Sequence, residues 1–172
     1  MVQQNIFFIG PMGVGKTTIG KSLAKILGKT FYDSDHEIEQ STQASIPTIF
    51  DIEGEEGFRL REYKTITELV KLNNIVLATG GGAILNEKSR MLLAAQGLVV
   101  YLYAPVEFLY RRIAYDKNRP LLQKDNPLDY LTQLFHKRDP LYREISDITI
   151  CTEKKTIKAI TDEILHRLRP IE

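Results

Sequence analysis

The chain of 172 residues carries 23 Lys+Arg against 22 Asp+Glu, a formal charge of +1, with 43% hydrophobic and 26% charged residues. Such a balance fits one α/β domain and argues against a protein that coats a polyanion, and the lone Cys151 excludes an internal disulfide and a multi-cysteine metal site. No stretch approaches the ~18 apolar residues of a membrane helix, and Met1–Asn5 lacks the basic start of a signal peptide. A cytoplasmic protein of one domain, residues 1–172, with neither nucleic acid nor membrane as partner, is expected.

Short apolar runs alternate with helical stripes. Ile6–Ile9 reads as a buried strand. From Lys16 to Leu27, Ile19, Leu23, Ile26 and Leu27 recur at helical spacing, and Gly28 is placed to end that helix. Thr30–Asp33 is a second short strand, after which Ser34 and Glu37 have the spacing of a capping box. Gly54 to Leu72 carries Phe58, Tyr63, Ile66, Leu69 and Val70, a helical stripe that stops at Asn73-Asn74. Ile75–Ala78, Leu98–Tyr103 and Ile148–Cys151 complete five strands, with Cys151 read as a small apolar residue closing the last. Pro105 suits the first turn of a helix; a further helix carries Leu128, Leu131, Leu134 and Phe135 and ends at Arg138, and a final one carries Ile157, Ile160, Ile164, Leu165 and Leu168. This alternation predicts an α/β fold of three layers (α/β/α), with a five-stranded parallel sheet covered on both faces. One long polar connection, about residues 114–127 and containing Arg119-Pro120, has the length of a functional lid.

Gly10-Pro11-Met12-Gly13-Val14-Gly15-Lys16-Thr17 matches the phosphate-loop pattern G-x-x-x-x-G-K-[ST] in full, between a strand and an amphipathic helix. Its glycines let successive backbone N–H groups converge on a phosphate at a helix N-terminus. Gly13, Val14, Gly15, Lys16, Thr17 and Thr18 are therefore expected to cradle ATP, with Lys16 beside the β- and γ-phosphates and Thr17 binding Mg²⁺. No Asn-Lys-x-Asp guanine-reading sequence occurs, and no acidic residue stands at the tips of the third and fourth strands. The metal's carboxylate must then come from elsewhere, and Asp33 is the nearest candidate.

Asp33-Ser34-Asp35 lies at the carboxyl end of a strand, where open α/β sheets bind ligands. Asp35 is placed to orient an acceptor hydroxyl and take its proton, although the same three residues also read as a helix cap. Arg59 and Arg138 would suit a small anionic acceptor, since arginine pairs carboxylates bidentately. Their ordinary alternatives are a Glu55–Arg59 helix pair and a helix-dipole contact. Thr79-Gly80-Gly81-Gly82 implies close backbone approach to a ligand. His36, His136 and His166 have no ligand spacing and read as surface residues.

Together these blocks resemble the shikimate kinase family along nearly the whole chain: Gly10–Thr18, Phe31–Asp35, Glu53–Arg59, Ala78–Gly82, Arg119-Pro120-Leu121-Leu122 and Arg138-Asp139-Pro140-Leu141-Tyr142. The last block departs at Asp139, where many relatives have Asn. The resemblance implies transfer of the ATP γ-phosphoryl to the 3-hydroxyl of shikimate, on a nucleoside-monophosphate-kinase type sheet with the phosphate-loop strand central. It implies that Asp35 contacts the substrate hydroxyls as base, that Arg59 and Arg138 hold the substrate carboxylate, and that Phe58, Gly80, Gly81 and Gly82 complete the acceptor site. It also implies that Arg119 reaches the ATP phosphates from the lid and that Arg112 and Lys155 meet the adenine. Lys16, Asp35 and Arg119 are the expected catalytic residues, Thr17 and Asp33 the metal-binding ones, and a monomer the expected state. Rival readings are another small-molecule kinase of the same fold, acting on a nucleoside monophosphate or a sugar acid, and a nucleotide-binding regulatory module without turnover.

Overall fold

A computed structural model of the chain describes residues 4–114 and 125–168. Five strands, β1 (Ile6–Ile9), β2 (Thr30–Asp33), β3 (Ile75–Ala78), β4 (Leu98–Tyr103) and β5 (Ile148–Cys151), form one sheet in the order β2-β3-β1-β4-β5. Every pairing is parallel, with β1 central between β3 (Ile6 opposite Val76) and β4 (Ile6 opposite Leu98). β1 is a continuous apolar run because both of its faces are covered. Ile6 and Phe8 point into one core with Ile19, Leu23, Ile160 and Ile164, while Phe7 and Ile9 point into another with Ile66, Leu69, Leu93 and Tyr142. The alternation of side chains along one four-residue strand thus builds the three layers.

The helices are α1 (Lys16–Leu27), α2 (Ser34–Thr42), α3 (Ile46–Leu69), α4 (Glu87–Gln96), α5 (Val106–Ile113), α6 (Pro127–Ile145) and α7 (Ile157–Arg167). α1 and α7 lie on the first face; α3, α4 and α6 supply the second. Gly28, at φ 65°, ends α1 as expected and returns its N–H to the carbonyl of Ala24. A third, small core of Ile38, Ile49 and Phe58 joins α2 to α3 apart from the sheet. That pair of helices carries Asp35 and Arg59, two of the residues expected at an acceptor site.

Four sequence expectations need correction. α2 is capped by Asp33, not Ser34: the Asp33 carboxylate accepts from the N–H groups of Asp35 and His36. Ser34 is instead fully buried, and its hydroxyl accepts from Gly80 N–H at 3.1 Å. α3 begins at Ile46, with Ser45 as its cap, and Gly54 (φ 70°, ψ −178°) breaks it internally where the sequence suggested a start. α6 runs through Pro140 to Ile145, so Arg138 lies in mid-helix and not at a dipole terminus. α4, capped by Asn86, has no counterpart in the sequence reading; its exposed face blurs the apolar stripe, leaving Leu93 as its deep anchor.

Candidate functional site

The phosphate loop links β1 to α1 at the carboxyl end of the central strand. Gly10, Gly13 and Gly15 all have positive φ (143°, 79° and 102°), conformations that side-chain-bearing residues rarely adopt. A Cβ on Gly13 would also lie 2.6 Å from Ile113 Cγ2. No side chain caps α1, so its first N–H groups remain turned toward the loop mouth as an anion site. Lys16 is buried, and its ammonium donates to the carbonyls of Gly10 (2.7 Å) and Pro11 (2.9 Å). Val14 is sealed in the core, while Thr17 and Thr18 are exposed at the start of α1.

Thr17 and Asp33, paired from the sequence, are brought together: the Thr17 hydroxyl donates to Asp33 Oδ2 at 2.6 Å. The other oxygen, Oδ1, is the α2 cap. Capping and site placement are therefore one arrangement, since the helix amides orient the carboxylate that faces the phosphate loop.

The residues expected at an acceptor site gather around the triple glycine after β3. Thr79 anchors it to β1 by a hydroxyl bond to the Phe8 carbonyl, and Ser34 holds the Gly80 N–H. A Cβ on Gly80 would sit 2.7 Å from Asp35 Oδ1 and 2.9 Å from Glu62 Oε2. A Cβ on Gly82 would collide with the Arg59 guanidinium, and one on Gly81 would lie 3.7 Å from an Arg138 nitrogen and 3.4 Å from Met12 N of the phosphate loop. None of the three has positive φ; Gly80 and Gly82 are glycines for space, while a Cβ on Gly81 would meet only ordinary contacts. Asp35, Arg59 and Arg138, from three different helices, converge on this backbone, and the phosphate loop abuts it.

Electrostatics at this point are uncompensated. Asp35 Oδ1 and Glu62 Oε2 are both buried without a hydrogen-bond partner among the described residues. Burial, with Glu62 and Asp33 adding like charge, pushes the Asp35 carboxyl up to about 6, against the pull of Lys16 and Arg59. Burial likewise raises Glu62, opposed by Arg59 and Arg138. Arg59 donates to Glu62 Oε1 at 2.7 Å; its anticipated helix pair with Glu55 is the longer contact, at 3.7 Å. The Nε atoms of Arg59 and Arg138 are buried without hydrogen-bond partners. Two cationic groups and an unsatisfied carboxylate gathered around one glycine backbone suit an acceptor with both an anionic group and hydroxyls.

Phe58 lies in the α2–α3 core, its ring tilted against that of Phe50 (4.7 Å between centroids), with the Arg59 guanidinium 5.3 Å from its ring; it supports Arg59 from behind. Arg112 is exposed on α5 with its guanidinium 5.7 Å from the Phe108 ring, and Lys155 pairs with Glu163 at 2.7 Å. These two are separately engaged, not joined to the loop cluster. Arg119 and most of the expected lid, 115–124, lie outside the described residues. His36, His136 and His166 are exposed, and among the described residues no group of three His, Cys, Asp or Glu forms a metal cluster. No helix among them is long and apolar enough to cross a membrane.

Sequence reasoning missed Glu62 and the role of Ser34. Glu62 had a signal: it stands midway between Phe58 and Ile66 on the buried stripe of α3, an acid where the helical period demands an apolar residue.

The sequence model of the family described as shikimate kinase matches residues 12–169. The chain belongs to the shikimate kinase family. It is 60% identical over 169 residues to the shikimate kinase of Nitrosococcus oceani, covering 98% of this chain and 89% of that protein. A Pseudomonas aeruginosa shikimate kinase is 52% identical, with 97% of each covered. Among solved structures, shikimate kinase from Acinetobacter baumannii in complex with shikimate superposes with a TM-score of 0.94 at 50% identity, over 97% of this chain and 93% of that one. A gluconokinase from Sinorhizobium meliloti, at 18% identity and TM-score 0.64, shares the fold alone. The three layers and the central phosphate-loop strand are those of a phosphate-loop kinase.

Proposed function

We propose that the chain transfers the γ-phosphoryl group of ATP to the 3-hydroxyl of shikimate, giving shikimate 3-phosphate and ADP. The observation that carries this reading is the convergence of Asp35, Arg59 and Arg138 on one glycine backbone that itself touches the phosphate loop. A hydroxylated carboxylate placed there has two guanidinium partners for its carboxylate and an unsatisfied carboxylate oxygen for a hydroxyl, with the donor loop adjoining.

Phosphoryl transfer asks a protein chiefly for alignment and charge neutralisation. The loop amides and Lys16 would bind the ATP phosphates, with Lys16 exchanging its carbonyl partners for phosphate oxygens. Asp35 would orient the acceptor hydroxyl and take up its proton as the new O–P bond forms. Arg59 and Arg138 would fix the acceptor's carboxylate, which sets the direction of the hydroxyl. In this reading Arg119 contacts the phosphates from a lid over 114–127, and Arg112 and Lys155 border the adenine. Thr17 and Asp33 fit Mg²⁺, since a hydroxyl and a carboxylate are hard oxygen donors and this ion keeps several waters, so no cluster of protein ligands is needed. When bound, Mg²⁺ neutralises phosphate charge. The enzyme would be one domain, cytoplasmic and monomeric, without nucleic-acid or membrane partners; its large exposed apolar side chains are spread over α1 (Ile26), α3 (Ile52, Leu60), α4 (Met91) and α7 (Ile157).

The test is ADP release with Mg-ATP in the presence of shikimate, a nucleoside monophosphate or gluconate. Release that depends on shikimate is expected. Release with only another acceptor would retain the phosphate loop and overturn the roles of Arg59 and Arg138. ATP binding without turnover on any acceptor would favour a regulatory module.

A further inference from the structure

Tyr142 is fully buried on α6, one helical turn beyond Arg138 and on the same face. Its ring stacks on Tyr101 at 4.9 Å, and burial pushes its phenol up to about 12, so it stays protonated, a donor, at any working pH. The hydroxyl donates to the Gly81 carbonyl, and the same backbone stands beside Arg138: a Cβ on Gly81 would lie 3.7 Å from an Arg138 nitrogen. A single phenol therefore ties the helix that bears the guanidinium assigned to the acceptor carboxylate to the middle of the triple glycine.

Three consecutive glycines have the widest backbone freedom of any tripeptide, so this loop holds its shape only through its bonds to neighbours. Thr79 and Gly80 are held from β1 and α2. The bond from Tyr142 is the one that comes from the helix bearing Arg138. Because the peptide is planar, fixing the Gly81 carbonyl also fixes the plane of the Gly82 N–H, the residue against which Arg59 packs. We infer that Tyr142 is a positioning residue, which sets the spacing of Arg138 from the Gly81–Gly82 backbone, and through it from Arg59, before shikimate binds. The inference rests on the acceptor site proposed above.

Steady-state kinetics of Tyr142→Phe test it, since phenylalanine keeps the ring stack and removes only the hydroxyl. The KM for shikimate is expected to rise about 10-fold, the size of one lost hydrogen bond to a charged or buried partner, with the KM for ATP changed less than about twofold. Tyr101→Phe is the matched control, because it removes a buried phenol bonded to Asp139 on the same stack; its ratio of the two KM values should stay that of the parent. Tyr142→Phe added to Arg138→Ala should raise the shikimate KM less than about twofold further, as expected when two groups act as a unit. If Arg138→Ala raises the shikimate KM while Tyr142→Phe does not, or if Tyr142→Phe weakens both substrates equally, the inference fails and the proposed acceptor site stands. If Arg138→Ala itself leaves the shikimate KM unchanged, the site reading fails first. Should Tyr142→Phe not fold, 3-fluorotyrosine at position 142 retains the hydroxyl: its fluorine resonance is expected to shift with shikimate and not with ADP, and no shift with shikimate overturns the inference.

Discussion

The phosphate loop and the acceptor half proposed for this site are built on opposite principles. The phosphate loop is eight consecutive residues, Gly10–Thr17, whose work is done by backbone: three positive-φ glycines, an uncapped helix start and a lysine folded onto its own loop. The acceptor half takes one or two side chains from each of α2, α3 and α6 and sets them around a loop with none of its own. The first is local and gains its charge preference from aligned amides, which cost little to bury because they are needed there anyway. The second concentrates ionisable groups in a buried place and leaves oxygens and guanidinium nitrogens unsatisfied until a ligand supplies partners. Damage to the two halves should therefore read out on different substrates.

The largest separation is expected from Asp35 and Lys16, the two charged groups assigned to the phosphoryl-transfer step. Asp35→Asn keeps the side chain's size and removes its ability to accept a proton, so kcat should fall about 10²–10⁴-fold, while ADP affinity measured by calorimetry stays within about twofold. Lys16→Ala should lower kcat about 10²–10³-fold and weaken ATP in addition. An Asp35→Asn enzyme that kept full turnover would remove Asp35 as base; a Lys16→Ala enzyme with unaltered ATP affinity would break the division between the halves.

The same contrast explains what could be read from the chain alone. The loop motif, its flanking strand and the helix from Lys16 to Leu27 were legible because every determinant is a near neighbour in sequence. Asp35, Arg59 and Arg138 were legible as residues, but from their own helices each had an equally good local explanation. Only long-range packing decided among these: the Glu55–Arg59 pair exists yet is outcompeted by buried Glu62, and Arg138 is not at a helix end. Ser34 looked like a cap because its spacing to Glu37 is that of one. Asp33 took the role because its carboxylate is turned both to the α2 amides and to Thr17. The triple glycine reads from the sequence as close backbone approach to a ligand; what crowds Gly80 and Gly82 in the structure is the chain's own Asp35, Glu62 and Arg59.

Intermediate effects belong to the arginines. Arg138→Ala and Arg59→Ala should each raise the KM for shikimate about 10–100-fold, the range for losing a charge-assisted bond, with the KM for ATP little altered. Arg59→Ala should be the more harmful to folding, because it leaves Glu62 a buried carboxylate without its 2.7 Å partner; the Arg59→Ala/Glu62→Gln double variant should recover thermal stability without recovering shikimate affinity. Equal KM effects on both substrates would mean that the halves are one cooperative unit.

The smallest predicted effects concern proton affinity, and their signs follow from the raised Asp35 carboxyl. Asp35 must be ionised to accept a proton, so kcat/KM for shikimate should fall tenfold per pH unit below about 6. Glu62 adds like charge to Asp35, so Glu62→Gln should move that acid limb to lower pH. Stability runs the other way. Asp35 binds its proton more tightly in the folded chain, at about 6, than at the ordinary 3.8, so folding is favoured below the ordinary value and loses free energy as pH rises from about 4 to 6. The loss is at most about 3 kcal/mol at 1.36 kcal/mol per unit. Asp35→Asn should therefore raise Tm at pH 7.5 and leave it nearly unchanged at pH 4, the pattern of a group kept for catalysis at the expense of stability. A Tm gain of equal size at both pH values would trace the effect to packing, and would mean that the buried charge at the acceptor half is not what separates it from the phosphate loop.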